Sequence, residues 1–145
     1  MPTWGEFANA APELATFGAG RFNSRVAYLG TLRKDGGPRV HPVTPIVGGG
    51  YLFLFMEPTS PKGKDLQRDG RYTLHCAVED TSGGEGEFYV RGAARLVDDD
   101  ALRQEAENAA DYNPAARYIL FVMEVDFAFQ NLYTDGKPNV SRWSA

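Results

Sequence analysis

Ser60, Lys62 and Lys64 stand in the stretch SPKGKDLQRDGRYTLHC, residues 60–76. Ser60 followed by Pro61 reads as a helix start. Serine is a favoured N-cap, and proline suits the first helical position, where its missing N–H costs nothing. Both lysines then fall in the first turn, where the helix already carries partial positive charge. Each forgoes about 0.3–1 kcal/mol there. A bound anion would reverse that sign, because unpaired backbone N–H groups and the dipole both favour it. Ser60 could then donate its hydroxyl and Lys62 could supply a point charge. Two solvated lysines balanced by Asp65 and Asp69 fit the pattern as well.

Other reactive residues form no constellation. Pro58 stands where a P-loop would need its first glycine, and Asp65 replaces the Ser/Thr after the lysine. GGEGEFYV lacks the last glycine of a dinucleotide-binding turn. The only histidines are His41 and His75, and with Cys76 they lack metal-ligand spacing, so no metal site is expected. His75 and Cys76 are neighbours on an expected strand. Their side chains then point to opposite faces and cannot pair as nucleophile and base.

The elements that must position these residues are mostly strands. TWGEFANAAPELATFGAGRF opens with Thr3 and Glu6 at capping-box spacing, and Pro12 divides it into two short helices. RVAYLGTLR is rich in strand formers, and Asp35-Gly36 predicts a tight hairpin to PRVHPVTPIV. Pro42 and Pro45 confine that second strand to an edge or a bulge. After the glycines at 48–50 comes YLFLFME, which would complete a three-stranded meander. KGKDLQRD is a short helix, RYTLHCAV and GEFYVRGAARLV are strands, and DDDALRQEAENAADY is a helix led by acidic residues. RYILFVMEVDFAFQNLYT is a long last strand bent near Asp126, and PNVSRWSA is a tail.

This pattern predicts a mainly β fold with a few short α-helices, a six-stranded antiparallel barrel forming one domain over residues 1–145. YLFLFM and YILFVM do not alternate apolar with polar, so both faces of those strands need cover. The barrel interior covers one face. The N-terminal helices cover part of the other, and a second copy of the chain covers the rest, which predicts a homodimer.

A net charge of -4 argues against a nucleic-acid partner, which would want a basic face. The apolar runs are far too short to span a bilayer, so no membrane partner is expected. MPTWGEF has no basic segment followed by an apolar one, and Cys76 is the single cysteine. A cytoplasmic location follows as the expectation.

In order and spacing, GGPRVHPVTPIV, YLFLFMEPTSPKGKDLQRDGRYTLH and GEFYVRGAARLV resemble the pyridoxamine 5'-phosphate oxidase-like, FMN-binding split-barrel family. The resemblance covers roughly residues 26–97, and Arg142-Trp143 matches a C-terminal pair of small members. It implies an FMN site at a dimer interface and hydride or electron transfer with a small-molecule substrate. Position by position, Lys62 matches the lysine on the flavin phosphate. Ser60 matches a hydroxyl beside it, and Lys64 stands in the same turn. Arg39, Val40, His41, Pro42, Val43 and Thr44 match the strand along the ring and ribityl chain. Phe55 and Met56 match the strand end at the cofactor, Glu87 a polar contact from the neighbouring chain, and Trp143 a residue packed near the ring.

Two departures stand out. The arginine that usually precedes the phosphate lysine is Pro61 here. The long C-terminal region that holds pyridoxal phosphate in the oxidase has no counterpart, so the expected substrate is not a B6 vitamer. Alternatives to FMN chemistry are a deazaflavin-dependent reductase, whose cofactor's longer anionic tail Lys62, Lys64, Arg68 and Arg71 could serve, and a non-catalytic flavin- or haem-binding protein. No side chain stands out as an essential acid or base. His41 is the one group on the cofactor strand that titrates near neutral pH.

Overall fold

A computed structural model describes every residue from Met1 to Ala145. Two helices open the chain, α1 (Trp4–Ala10) and α2 (Pro12–Phe22). The Glu6 N–H donates to the Thr3 hydroxyl at 3.2 Å, and Pro12 takes the first position of α2. The strands are β1 (Ala27–Leu32), β2 (Pro38–Val43), β3 (Ile46–Gly48), β4 (Tyr51–Met56), β5 (Arg71–Cys76), β6 (Glu87–Leu96), β7 (Ile119–Thr134) and β8 (Lys137–Ser144). Helix α3 (Pro61–Arg68) joins β4 to β5, and α4 (Asp100–Ala109) lies between β6 and β7.

All eight strands share one antiparallel sheet in the order β2-β1-β5-β6-β7-β4-β3, with β8 beside β7. The first residues of β7 pair with β4, and the last ones pair with β8. β2 and β3 are the two ends of this order, yet only Thr44 and Pro45 separate them in the chain. Three steps of extended chain reach at most about 11 Å. The ends of the sheet therefore meet, and it rolls into a barrel with one unpaired seam, a split barrel.

The architecture departs from expectation in five places. There are eight strands where six were expected. Pro45, with no N–H for a ladder, divides PRVHPVTPIV into β2 and β3. The supposed tail is β8, turned back at Asp135 and Gly136, which have φ of 53° and 74°. That is the left-handed pair a two-residue hairpin needs. The Asp35-Gly36 turn is wider than a tight hairpin, because strand pairing stops at Leu32 and Pro38. The meander is also broken: β4 lies at the far side of the sheet from β2, paired with β7.

The bend near Asp126 is present as a bulge. Arg91 pairs with Phe127 and Gly92 with Val125, leaving Asp126 unmatched. A Cβ on Gly92 would stand 1.9 Å from the Glu124 carbonyl oxygen, so only glycine fits there.

The main core fills the barrel and continues under α1 and α2, with Phe7, Phe22, Leu29, Leu54, Phe88 and Met123 fully buried. The outer face of β4 and β7 is covered by α4, which buries Ile46, Phe53, Ala106, Leu120 and Val122 in a second cluster. The N-terminal helices and a second copy of the chain were expected to share this cover, but α4 supplies it, and the N-terminal helices join the main core. Across the other side of the barrel, one outward row runs in register through Pro42, Tyr28, His75, Tyr89, Phe129 and Arg142. The rings of Tyr89 and Phe129 stack at 5.1 Å and those of His75 and Tyr89 at 5.9 Å. This row stays open, with Tyr28 45% exposed.

Candidate functional site

Helix α3 begins as the sequence predicts. The Gly63 N–H donates to the Ser60 hydroxyl at 3.2 Å, and Lys64 N–H donates to the Ser60 carbonyl at 3.1 Å. The Ser60 hydroxyl oxygen thus accepts as the cap, and its own O–H stays available to donate. The Lys62 N–H finds no acceptor in the chain, because Pro58 and Thr59 lie outside the helix. The Lys62 side chain is half-buried without a carboxylate partner, and burial pushes its ammonium below the usual pKa. Lys64 points to solvent.

Asp65 does not balance the lysines. It is buried, and it accepts from Thr31 Oγ1 at 2.8 Å, Arg39 Nε at 2.7 Å and Arg68 at 2.9 Å. This network fastens α3 to β1 and β2. Asp69 caps the helix C-terminus and pairs with Arg71 at 2.7 Å.

A cavity of about 390 Å³ opens in the seam of the barrel. It falls within the range of about 300–1,000 Å³ usual for small-molecule sites. One wall is Pro42, Val43 and Thr44 at the end of β2, and the other is Phe55 and Met56 at the end of β4. These walls are not paired to each other, because β3 stops opposite Phe53 and leaves the end of β4 uncovered on that side. Lys62 closes one end, with Glu57, Tyr112 and Tyr118. Apolar strand walls, a desolvated lysine and a free backbone N–H suit a planar apolar group that carries an anionic tail. The residues present therefore fit a flavin phosphate.

The remaining sequence-predicted residues lie outside this cavity. Arg39 holds Asp65. Val40 is 69% exposed, and the His41 ring contacts the Pro42 carbonyl at 3.0 Å on the surface. Glu87 faces outward at the start of β6, 3.0 Å from the His75 ring. Trp143 lies on β8 opposite Ala128, with its ring 5.0 Å from Phe7 of α1. A larger hollow of about 700 Å³, lined in part by Arg71, Arg91 and Phe127, contains none of the residues expected to hold FMN, and Arg71 is the one residue expected to serve a deazaflavin tail that lies there.

Tyr112, Tyr118 and Glu57 are the lining residues that sequence reasoning missed. No local spacing marks them. The pairing of Met56 with Ile119 brings Tyr118 beside the end of β4, and only the sheet register reveals it. Glu57 is neutralised by Arg117, whose Nε donates to both carboxylate oxygens at 3.1 and 3.0 Å.

A family model described as pyridoxamine 5'-phosphate oxidase matches residues 12–131. The chain belongs to the pyridoxamine 5'-phosphate oxidase-like split-barrel family. No curated protein matches the sequence. Among solved structures, a haem-binding protein from Mycobacterium smegmatis superposes with a TM-score of 0.69 at 19% identity, covering 99% of this chain and 59% of that one. The chain thus spans little more than half of that relative. General stress protein 26 from Bacillus anthracis gives 0.63 at 18% identity, covering 91% of this chain and 97% of that one. An F420 reductase gives 0.57 at 18% identity, covering 74% and 91%. At these identities the likeness is one of fold.

Proposed function

We propose that this chain is an FMN-binding oxidoreductase that works as a cytoplasmic homodimer, each copy a single domain over residues 1–145. The observation that carries the reading is the cavity in the seam, which gathers Pro42, Val43, Thr44, Phe55, Met56 and Lys62 around one opening. When bound, the flavin supplies hydride or electron transfer, and the protein supplies position, electrostatics and access. Lys62 and its N–H hold the phosphate. The apolar walls hold the ring and exclude water.

The dimer reading rests on the outward aromatic row Tyr28, His75, Tyr89 and Phe129, of which Tyr28 is 45% exposed. A second copy laid there would also bring its Glu87 and His75 to the interface. FMN is favoured over a deazaflavin by the state of the basic residues. Arg68 and Arg71 are engaged with Asp65 and Asp69, which leaves only Lys62 and Lys64 free near the helix for an anionic tail.

The test is an absorbance spectrum of the purified protein after incubation with FMN, followed by titration of flavin fluorescence. Saturable FMN binding, with a dimer mass by light scattering, supports the reading. A Soret band on the isolated protein, or preference for a deazaflavin, would replace FMN. A monomer mass at micromolar concentration would remove the dimer.

A further inference from the structure

The cavity at Lys62 has a wall built from the connection between α4 and β7. Tyr112 and Tyr118 stand at either end of that short segment, and both line the cavity. The segment is bolted in place. Arg103 of α4 donates to the Tyr118 carbonyl at 2.7 Å and to the Ala115 and Ala116 carbonyls at 3.4 Å. Tyr118 N–H donates to the Ala115 carbonyl at 3.0 Å. Arg117 is clamped on Glu57, the residue that follows β4. The Arg103 guanidinium also lies 5.3 Å from the centre of the Phe55 ring, another wall of the same cavity. Such a wall presents its side chains in a fixed geometry.

The two phenols are uncommitted. Tyr72 spends its hydroxyl on the Glu124 carbonyl at 2.9 Å, whereas neither Tyr112 nor Tyr118 donates within the chain. Tyr112 is 40% exposed, and its partial burial, then the neighbouring Tyr118 and Asp111, hold its phenol above the ordinary pKa, so it keeps its proton. A phenol O–H is a good donor to an anionic oxygen. Lys62 is the one basic residue that lines the cavity; Arg117, held on Glu57, lies 5.3 Å from the centre of the Tyr118 ring.

We propose that Tyr112 and Tyr118 are phosphate-binding residues of this site. Their hydroxyls, with the Lys62 ammonium and the Lys62 N–H, form the donor shell for a phosphomonoester, and they make the site select FMN over riboflavin. This rests on the FMN reading above, and it assigns the selectivity to residues of the α4–β7 connection.

The experiment measures the affinities of FMN and of riboflavin by flavin fluorescence. It compares the intact chain with Tyr112→Phe, Tyr118→Phe and the double variant. The ring stays and only the hydroxyl leaves, so apo melting temperatures should hold and serve as the folding control. Each single change should weaken FMN about 10-fold, the loss typical of a hydrogen bond to a charged group. Riboflavin binding should not change. A double variant that keeps full discrimination between FMN and riboflavin overturns the tyrosine assignment and leaves the FMN reading intact. Equal losses for both flavins overturn it too, since the rings would then pack rather than donate. An intact chain that binds neither flavin defeats the FMN reading, and this inference falls with it.

Discussion

The Asp65 carboxylate on α3 and the Arg39 guanidinium on β2 are joined by a 2.7 Å ion pair, with the acid almost fully buried and the base one-third exposed. The same carboxylate holds Thr31 and Arg68, so one acid ties a helix to two strands. Arg39 thus acts on the site through α3, which carries Lys62.

Asp65→Ala should destabilise the protein by about 3–5 kcal/mol, as expected for breaking a buried charge network. Thermal melts check this. A pH effect follows as well. Burial pushes the Asp65 carboxyl up, but Arg39, Arg68 and Thr31 outweigh it and hold the pKa below its ordinary value. A lowered folded pKa gives stability that is complete above the unfolded value, about 3.9, and is lost as pH falls through the folded one. The intact protein should lose stability below about pH 4 more steeply than Asp65→Ala. Equal slopes would remove Asp65 from the acid transition.

Lys62→Met should separate binding from folding. The methionine keeps the apolar stem and removes a charge that burial disfavours. Apo stability should stay level or rise, while FMN affinity falls about 10- to 100-fold. Unchanged affinity would make Lys62 a bystander.

His75 should add a stability component at the opposite end of the pH scale. The Cys76 side chain, the Cys76 carbonyl at 2.6 Å and the Glu87 carboxylate at 3.0 Å favour the charged ring against burial, and raise it to about 9. The unfolded value is about 6.5. Because the folded value is the higher one, the stabilisation is complete below about pH 6.5 and fades as pH rises through 9. Comparing melts of the intact chain and His75→Gln at pH 6 and pH 10 checks this. A difference between them that stays constant with pH contradicts it.

Trp143 packs against the main core. Its ring rests on Phe7, which is fully buried, and its strand closes onto β7. Trp143→Ala should cost about 2–3 kcal/mol, below the range for a fully buried tryptophan because the residue is half-exposed. Flavin affinity per folded molecule should be little changed. A variant of normal stability with weakened flavin binding would return Trp143 to the site.

Local signals reached the sequence intact. The Thr3 cap, the Pro12 break and the Ser60-Pro61 start all depend on residues within a few positions of one another. The two Asp-Gly pairs divide. Asp135 adopts a positive φ and makes a two-residue turn, whereas Asp35 does not, and its side chain instead accepts from Gly37 N–H at 2.9 Å. The composition of the pair is identical, and the flanking strands decide. What the sequence could not convey was non-local. The burial of Asp65, the approach of Tyr118 to Lys62 and the cover of β4 by α4 all depend on which strands lie side by side. For the cavity, resemblance supplied what periodicity could not: that residues near 42, 55 and 62 would share one opening.

The seam between β2 and β3 sets a mechanical condition on the molecule. A cylinder cut along one stave holds its radius only while something keeps the lips together. Here the covalent tie is Thr44-Pro45, and the cavity opens along the same cut. A guest lodged between Val43 and Phe55 would bridge the ends of β2 and β4 beside that cut, where β3 gives β4 no partner.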